Sequence, residues 1–127
     1  MRRLAVGFVA LLAGCDTISG LSSRACTAVA VPGLTVRVVD SVSGAPVASG
    51  STLRATDGAY ADSLVLPPNR PDLDSLGFPL AFERAGTYQV SVSRSGYRAW
   101  TTSNVRVTKG DCHVSTVSVI ARLVRAP

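Results

Sequence analysis

Apolar and polar residues alternate along three separate segments of this chain, which is the spacing of a β-strand with one buried side. The even positions are apolar in residues 34–38, and again in residues 88–93, where Gln89, Ser91 and Ser93 are the polar members. Val117, Val119, Ala121 and Leu123 line one side of the last segment. We find no helical periodicity beyond Cys26, so the sequence predicts an all-β domain.

Turn residues separate these segments at short intervals. Asp57-Gly58 lies between residues 51–55 and 59–61 and predicts a hairpin with a type I′ turn. Further turns are predicted at residues 43–46, 95–96 and 109–111, the last of them following a strand at residues 105–107. Residues 67–79 are rich in proline, which excludes a central strand and predicts the longest loop. About seven short strands with regular turns indicate a β-sandwich of immunoglobulin type.

Several of these segments resemble the carboxypeptidase regulatory-like domains, the transthyretin-like branch of immunoglobulin-type sandwiches. The matching residues are Val36-Arg37-Val38-Val39-Asp40 with Ser43-Gly44-Ala45-Pro46-Val47, then Gly86-Thr87-Tyr88-Gln89-Val90-Ser91-Val92 followed by Ser95-Gly96-Tyr97. The resemblance covers about residues 26–124 and implies an accessory module that binds or scaffolds. Gly86-Thr87-Tyr88 also has the form of a tyrosine corner, in which the phenol hydroxyl bonds to upstream backbone.

The first residues of the chain have the composition of an export signal. Arg2 and Arg3 precede a short uncharged apolar run, residues 4–12, which is too short to span a bilayer and fits the apolar region of a signal peptide. The run ends in Leu12-Ala13-Gly14-Cys15, which resembles the lipobox of bacterial lipoproteins. We therefore expect residues 1–14 to be cleaved and Cys15 to be lipidated, so that acyl chains anchor the protein to a membrane.

Small and polar residues follow Cys15, so residues 15–25 are predicted to be a flexible tether to a domain at 26–127. Asp16 directly after the cysteine resembles the residue that retains some lipoproteins in the inner membrane of Gram-negative cells. A simple polar linker residue is an equal alternative, and the outer membrane stays open. The location predicted is extracytoplasmic.

Charge argues against nucleic acid as a partner. The chain has 13 basic and 8 acidic residues, and loss of Arg2 and Arg3 leaves 11 basic residues and a net charge of +3. The basic residues are dispersed and no aromatic platform lies among them, unlike the surfaces that follow a phosphate backbone.

Cys26 and Cys112 remain as a pair once Cys15 carries lipid, and an exported pair favours a disulfide. Each precedes a predicted strand, one at the start of the domain and one near its end. Parallel first and last strands would bring the two cysteines within bonding range. The alternative is a metal site of Cys26, Cys112 and His113, which we reject because successive strand residues point to opposite sides. Asp72 and Asp74 lack the regular oxygen ligands of a calcium loop.

Catalysis would have to use His113, the only histidine, and the chain has no Gly-x-Ser-x-Gly elbow. Glu83 is the only glutamate, so pairing it with an aspartate for glycoside hydrolysis is arbitrary. Transthyretin-like hydrolases carry several histidines and a Tyr-Arg-Gly-Ser terminus, which this chain lacks. We therefore expect no enzyme, no cofactor and no metal. An enzyme would instead place His113 in a pocket beside a nucleophile or carboxylate.

The sequence thus predicts a binding or scaffolding module at the cell envelope, with protein or polysaccharide as its partner. Tyr60, Tyr97, Trp100 and the loop at residues 67–79 are the candidate contacts, since aromatics on a rigid sandwich are typical anchors. Core packing is the alternative for Trp100. The alternative functions are a purely structural subunit of an envelope complex and, more remotely, a small hydrolase.

Overall fold

The computed structural model describes residues 25–127, which form an all-β sandwich of seven strands and one short helix. The elements are β1 (Pro32–Asp40), β2 (Ser51–Asp57), β3 (Tyr60–Val65), α1 (Pro71–Asp74), β4 (Phe78–Phe82), β5 (Gly86–Arg94), β6 (Trp100–Val107) and β7 (Val117–Leu123). One sheet has the strand order β4-β1-β7 and the other β3-β2-β5-β6. The predicted fold class is confirmed.

One hydrophobic core fills the space between the two sheets. The inward residues of β1 and β5 are the apolar members of the predicted alternations, and Leu34, Val36, Tyr88 and Val90 are all fully buried. Ala121 and Leu123 of β7 join them with no exposed surface. Burying side chains of this size stabilises a domain by about 1.5–3 kcal/mol each. The period-2 pattern therefore decided which side of each strand faces inward.

β1 and β7 run parallel and side by side, with Leu34 opposite Val117 and Asp40 opposite Leu123. Cys26 and Cys112 lie ahead of these two strands and form a disulfide with a Cα–Cα distance of 5.3 Å. The predicted bridge is confirmed, and it joins the first strand to the last at the end of the three-stranded sheet.

The hairpin between β2 and β3 is confirmed, but its turn is one residue later than predicted. Asp57 pairs with Tyr60, so Gly58 and Ala59 are the two central residues. Only Gly58 has a positive φ, at 56°. A type I′ turn requires positive φ at both central positions, whereas glycine at the first position alone is the pattern of a type II′ turn. The predicted type I′ turn is therefore wrong.

The proline-rich segment at residues 67–79 is more ordered than a single long loop. Pro71 is the first residue of the four-residue helix α1. The backbone N–H at that position has no acceptor within the helix, so proline, which lacks it, loses no hydrogen bond there. Pro79 lies inside β4, opposite Thr35 of β1. β4 is an edge strand. Proline is accommodated there because the N–H that it lacks would point to the open edge of the sheet and pair with no strand. Proline excluded a central strand, as expected, but did not exclude an edge strand.

Tyr88 forms the predicted tyrosine corner. Its hydroxyl donates to the carbonyl oxygen of Arg84 over 2.7 Å, four residues upstream. The Arg84 guanidinium bonds both the Tyr88 hydroxyl and Asp57, over 3.0 and 2.9 Å. A side chain at Gly86 would meet the carboxylate of Asp57 and the guanidinium of Arg84, so it would displace that ion pair. The corner connects β5 to the end of β2.

Asp40 connects the two sheets at the end opposite the disulfide. Asp40 is buried, and its carboxylate accepts four hydrogen bonds of 2.9–3.0 Å. Two come from the backbone N–H groups of Val42 and Ser43. The other two come from the Tyr97 hydroxyl and the Arg125 guanidinium. These four donors hold the pKa of Asp40 far below its usual value of 3.8. The end of β1, the turn before β6 and the residues after β7 therefore meet at one carboxylate.

Candidate binding faces

The three predicted contact aromatics are half-buried and each has an intramolecular partner. The Arg84 guanidinium lies 4.0 Å from the centre of the Tyr60 ring, and the Tyr97 hydroxyl donates to Asp40. Burial, more than any neighbouring charge, raises the pKa of both phenols. Trp100 packs against the core opposite Val92. Tyr60 lies at one end of the four-stranded sheet and Trp100 at the other, so the structure does not bring the three together.

The loop at residues 67–79 is held by its own polar groups. Asp74 accepts the N–H of Ser49 over 2.7 Å, and Asp72 forms a two-point ion pair with Arg70. Both carboxylates are thus occupied. Within residues 25–127 no cluster of three or more histidine, cysteine or acidic side chains is placed to hold a metal ion.

The outward side of the four-stranded sheet is covered by hydroxyl and amide groups, and we call it the hydroxyl face. Arg54 lies near its centre, opposite Ser63 on β3 and Ser91 on β5, and Thr101 lies beyond Ser91. Its other polar members are Thr52, Thr56, Thr87, Gln89, Ser93, Ser103, Asn104 and Arg106. No carboxylate lies among these residues. In the sequence, the polar residues of the alternating segments indicated this face.

The outward side of the three-stranded sheet has a different chemistry. Ile120 of β7 lies directly opposite Arg37 of β1, and Arg122 follows two residues along β7 on the same side. Ile120 is 46% exposed, and Val124, next in the same alternation, is 49% exposed. We call this group of Arg37, Ile120, Arg122 and Val124 the arginine–isoleucine face.

Ion pairing leaves positive charge on both faces. Asp40, Asp57 and Asp72 each bind an arginine, and Asp62 and Asp74 accept backbone N–H groups. Several cations in the described part of the chain have no ion pair. They are Arg37, Arg54, Arg94, Arg98, Arg106, Lys109 and Arg122. Charge available to a partner is therefore mainly positive.

His113 lies in a hydrogen-bonded chain beside the disulfide. Its Nδ1 is 2.6 Å from a Glu83 oxygen, and its Nε2 is 3.0 Å from the Thr27 hydroxyl. Because a carboxylate only accepts, Nδ1 carries the proton in a neutral ring, and Nε2 accepts from Thr27. The backbone N–H of Val31 bonds the same Glu83 oxygen over 2.7 Å and contributes most to lowering the pKa of Glu83.

This cluster lines an open depression of about 400 Å³ that Lys109 and the disulfide also border. Cys112 and His113 are not in a strand, so the strand-geometry reason for rejecting a metal site there is wrong. The disulfide occupies both thiols instead. Chemically, the order hydroxyl, imidazole, carboxylate is that of a nucleophile with an oriented base. The sequence did not reveal it, since Thr27 and His113 are 86 positions apart in the chain.

The residues predicted to direct export and carry lipid, namely 1–14, Cys15, Asp16 and nearly all of the tether, lie outside the described residues. The described part of the chain contains no helix long and apolar enough to cross a membrane. No protein-family model matches the chain, and a search of curated proteins found none with a similar sequence. The resemblance to carboxypeptidase regulatory-like domains therefore remains a prediction.

Proposed function

We propose that this chain is a non-catalytic cell-envelope lipoprotein, anchored through lipid on Cys15 and binding or scaffolding a protein or polysaccharide. The export signal and lipobox pattern support the anchor. The disulfide supports an oxidising, extracytoplasmic location, because such bonds persist there. A purely structural subunit of an envelope complex is the alternative.

The observation that favours binding is the hydroxyl face. A flat array of hydroxyl, amide and guanidinium groups offers many hydrogen bonds and no enclosed cleft. Each such bond contributes a net ~0.5–1.5 kcal/mol, so useful affinity needs a partner that spans several strands. An extended polysaccharide or the surface of a protein meets this requirement. Arg54 at the centre adds a charge-assisted, two-point donor.

The anchor is tested by Cys15→Ala. We expect the variant to lose incorporation of radiolabelled palmitate and to move from the membrane to the soluble envelope fraction. Ser63→Ala, which keeps Cys15, is the matched control and should retain both. A Cys15→Ala protein that still carries lipid and stays on membranes would overturn the proposed address.

The binding face is tested with a photo-crosslinking amino acid at Ser91, on the hydroxyl face, or at Ser118, on the opposite sheet. We expect adducts with one partner, protein or glycan, from Ser91 in intact cells. Arg54→Glu should reduce those adducts. Equal yields from Ser91 with and without Arg54→Glu would exclude Arg54 as a contact. No adduct from Ser91 at all would exclude the hydroxyl face and favour a purely structural role.

The His113 cluster favours a second candidate function, hydrolysis of an ester. Thr27 would attack the carbonyl carbon while Nε2 of His113 accepts its proton and passes it to the leaving alcohol; Glu83 would orient the ring. Water would then release the acyl group from Thr27. p-Nitrophenyl acetate turnover should fall to background in Thr27→Ala and stay unchanged in Thr35→Ala. Unchanged turnover in Thr27→Ala would exclude this candidate.

A further inference from the structure

The arginine–isoleucine face lies on β1, the first strand after the predicted tether, and on β7, which pairs with it. Cys26 precedes β1 and is bonded to Cys112, which precedes β7. β1 carries Arg37 and β7 carries Ile120 and Arg122, all on the same outward side of the sheet. The covalent bridge therefore holds the end of the tether against the sheet that presents this face.

The tether is long enough for this sheet to reach the membrane. Ten residues, 16–25, separate Cys15 from Cys26. Fully extended they span at most about 35 Å, at about 3.3–3.6 Å per residue. Arg37 lies five residues after the first residue of β1, about 17 Å along the strand. A lipid on Cys15 would thus keep the face within reach of the headgroups at all times.

The chemistry of the face fits an anionic lipid surface. Arg37 and Arg122 have no ion pair in the described structure, and they flank the exposed Ile120. Each arginine near anionic headgroups contributes ~1 kcal/mol, which is too weak to recruit a free protein. A tethered protein needs no recruitment, because the anchor makes the contact intramolecular.

The hydroxyl face fits lipid less well. Its arginines, Arg54 on β2 and Arg106 on β6, lie two strands apart with β5 between them. Its exposed apolar residue, Val65, lies on the edge strand β3 and pairs with Thr52. The arginines and the exposed apolar residue are therefore separated on the hydroxyl face, whereas they are adjacent on the arginine–isoleucine face.

We propose that the arginine–isoleucine face rests on anionic phospholipid headgroups, so that the hydroxyl face points away from the membrane. This orientation rests on the proposed lipid anchor and extends it. It leaves the hydroxyl face free for a partner in the envelope space, whereas a randomly tumbling domain would present both faces equally.

The test uses an added thiol on each face. In lipidated protein Cys15 is alkylated and Cys26 is bonded to Cys112, so Ser118→Cys or Ser63→Cys supplies the only free thiol. The protein is placed in phosphatidylglycerol–phosphatidylcholine vesicles and treated with a water-soluble maleimide polymer. We expect labelling at Ser118→Cys to be roughly tenfold slower than in pure phosphatidylcholine vesicles, and labelling at Ser63→Cys to be unchanged.

Charge reversal identifies the cause. Arg37→Glu with Arg122→Glu should restore fast labelling at Ser118→Cys, while the matched pair Arg54→Glu with Arg106→Glu should leave it slow. Vesicle-bound protein that labels equally at both positions overturns the orientation and leaves the anchor intact. Protein that does not remain on vesicles overturns the anchor itself, and the orientation with it.

Discussion

The hydroxyl face and the arginine–isoleucine face belong to the same sandwich and are built by the same alternation, yet they present different groups. Both rest on one core, to which Leu34 of the three-stranded sheet and Leu53 of the four-stranded sheet contribute fully buried side chains. Outward, one sheet shows hydroxyls with two widely separated arginines, and the other shows arginines beside exposed aliphatic residues. Inward residues thus decide the fold, while outward residues are free to differ in function.

The two sheets also differ in how they are held. The three-stranded sheet is linked at one end by the disulfide between Cys26 and Cys112 and at the other by the ion pair of Asp40 and Arg125. The four-stranded sheet has the tyrosine corner of Tyr88. The sheet proposed to carry the tether is therefore the one that the disulfide closes covalently.

Removing the disulfide should produce the largest change. Cys26→Ser with Cys112→Ser opens a loop of 86 residues, for which the chain-entropy model predicts a loss of about 4–5 kcal/mol in the free energy of unfolding, an upper figure. Urea unfolding followed by circular dichroism measures it. The wild type under reducing conditions is the control and should fall to the same value. An unchanged midpoint would mean that the bridge adds nothing to the three-stranded sheet.

Core truncation should affect both sheets alike. Leu34→Ala and Leu53→Ala each remove a fully buried side chain and should lower the free energy of unfolding by about 2–5 kcal/mol. Arg37→Ala and Arg54→Ala, outward on the same two strands, are matched controls and should stay within about 0.5 kcal/mol of wild type. If an outward substitution costs as much as an inward one, the separation between fold and face residues is wrong.

Asp40→Asn should destabilise the protein in a pH-dependent way. Because the folded pKa of Asp40 lies below its usual value of 3.8, the ionised group stabilises the fold above that pH, and the contribution is lost as pH falls through and below 3.8. The melting temperature of Asp40→Asn should therefore be lower than wild type at neutral pH and approach it in acid. A gap that stays constant with pH would show that charge on Asp40 contributes nothing.

Tyr88→Phe should have the smallest effect. It removes the hydroxyl that donates to the Arg84 carbonyl and accepts from the Arg84 guanidinium, but the guanidinium keeps Asp57 as a partner and the ring stays buried. We expect a loss of about 1 kcal/mol in the free energy of unfolding. Thermal unfolding measures it, with Tyr97→Phe as the control for a hydroxyl that bonds Asp40. A loss as large as that of Leu53→Ala would show that the corner, rather than the core, holds the four-stranded sheet.

Sequence reasoning recovered the features that depend on local pattern. The inward residues of β1, β5 and β7, the disulfide and the tyrosine corner were all predicted. β4 was missed because it contains Pro79. Proline is compatible with an edge strand, but the local sequence does not show which strands lie at the edge of a sheet. The cluster of Thr27, Glu83 and His113 was missed because its members meet only through the fold. The chemistry of each face likewise depends on strand order, which the alternation does not give.

Hydroxyl-radical footprinting of the unmodified, lipidated protein in anionic vesicles tests the division between the two faces most directly. Ile120 and Val65 are exposed aliphatic residues on opposite sheets, 46% and 72% accessible, so each reports on its own face. Ile120 should be protected from oxidation on vesicles, relative to detergent, while Val65 stays fully reactive. Equal reactivity of both residues, or protection of Val65 in place of Ile120, would contradict this division.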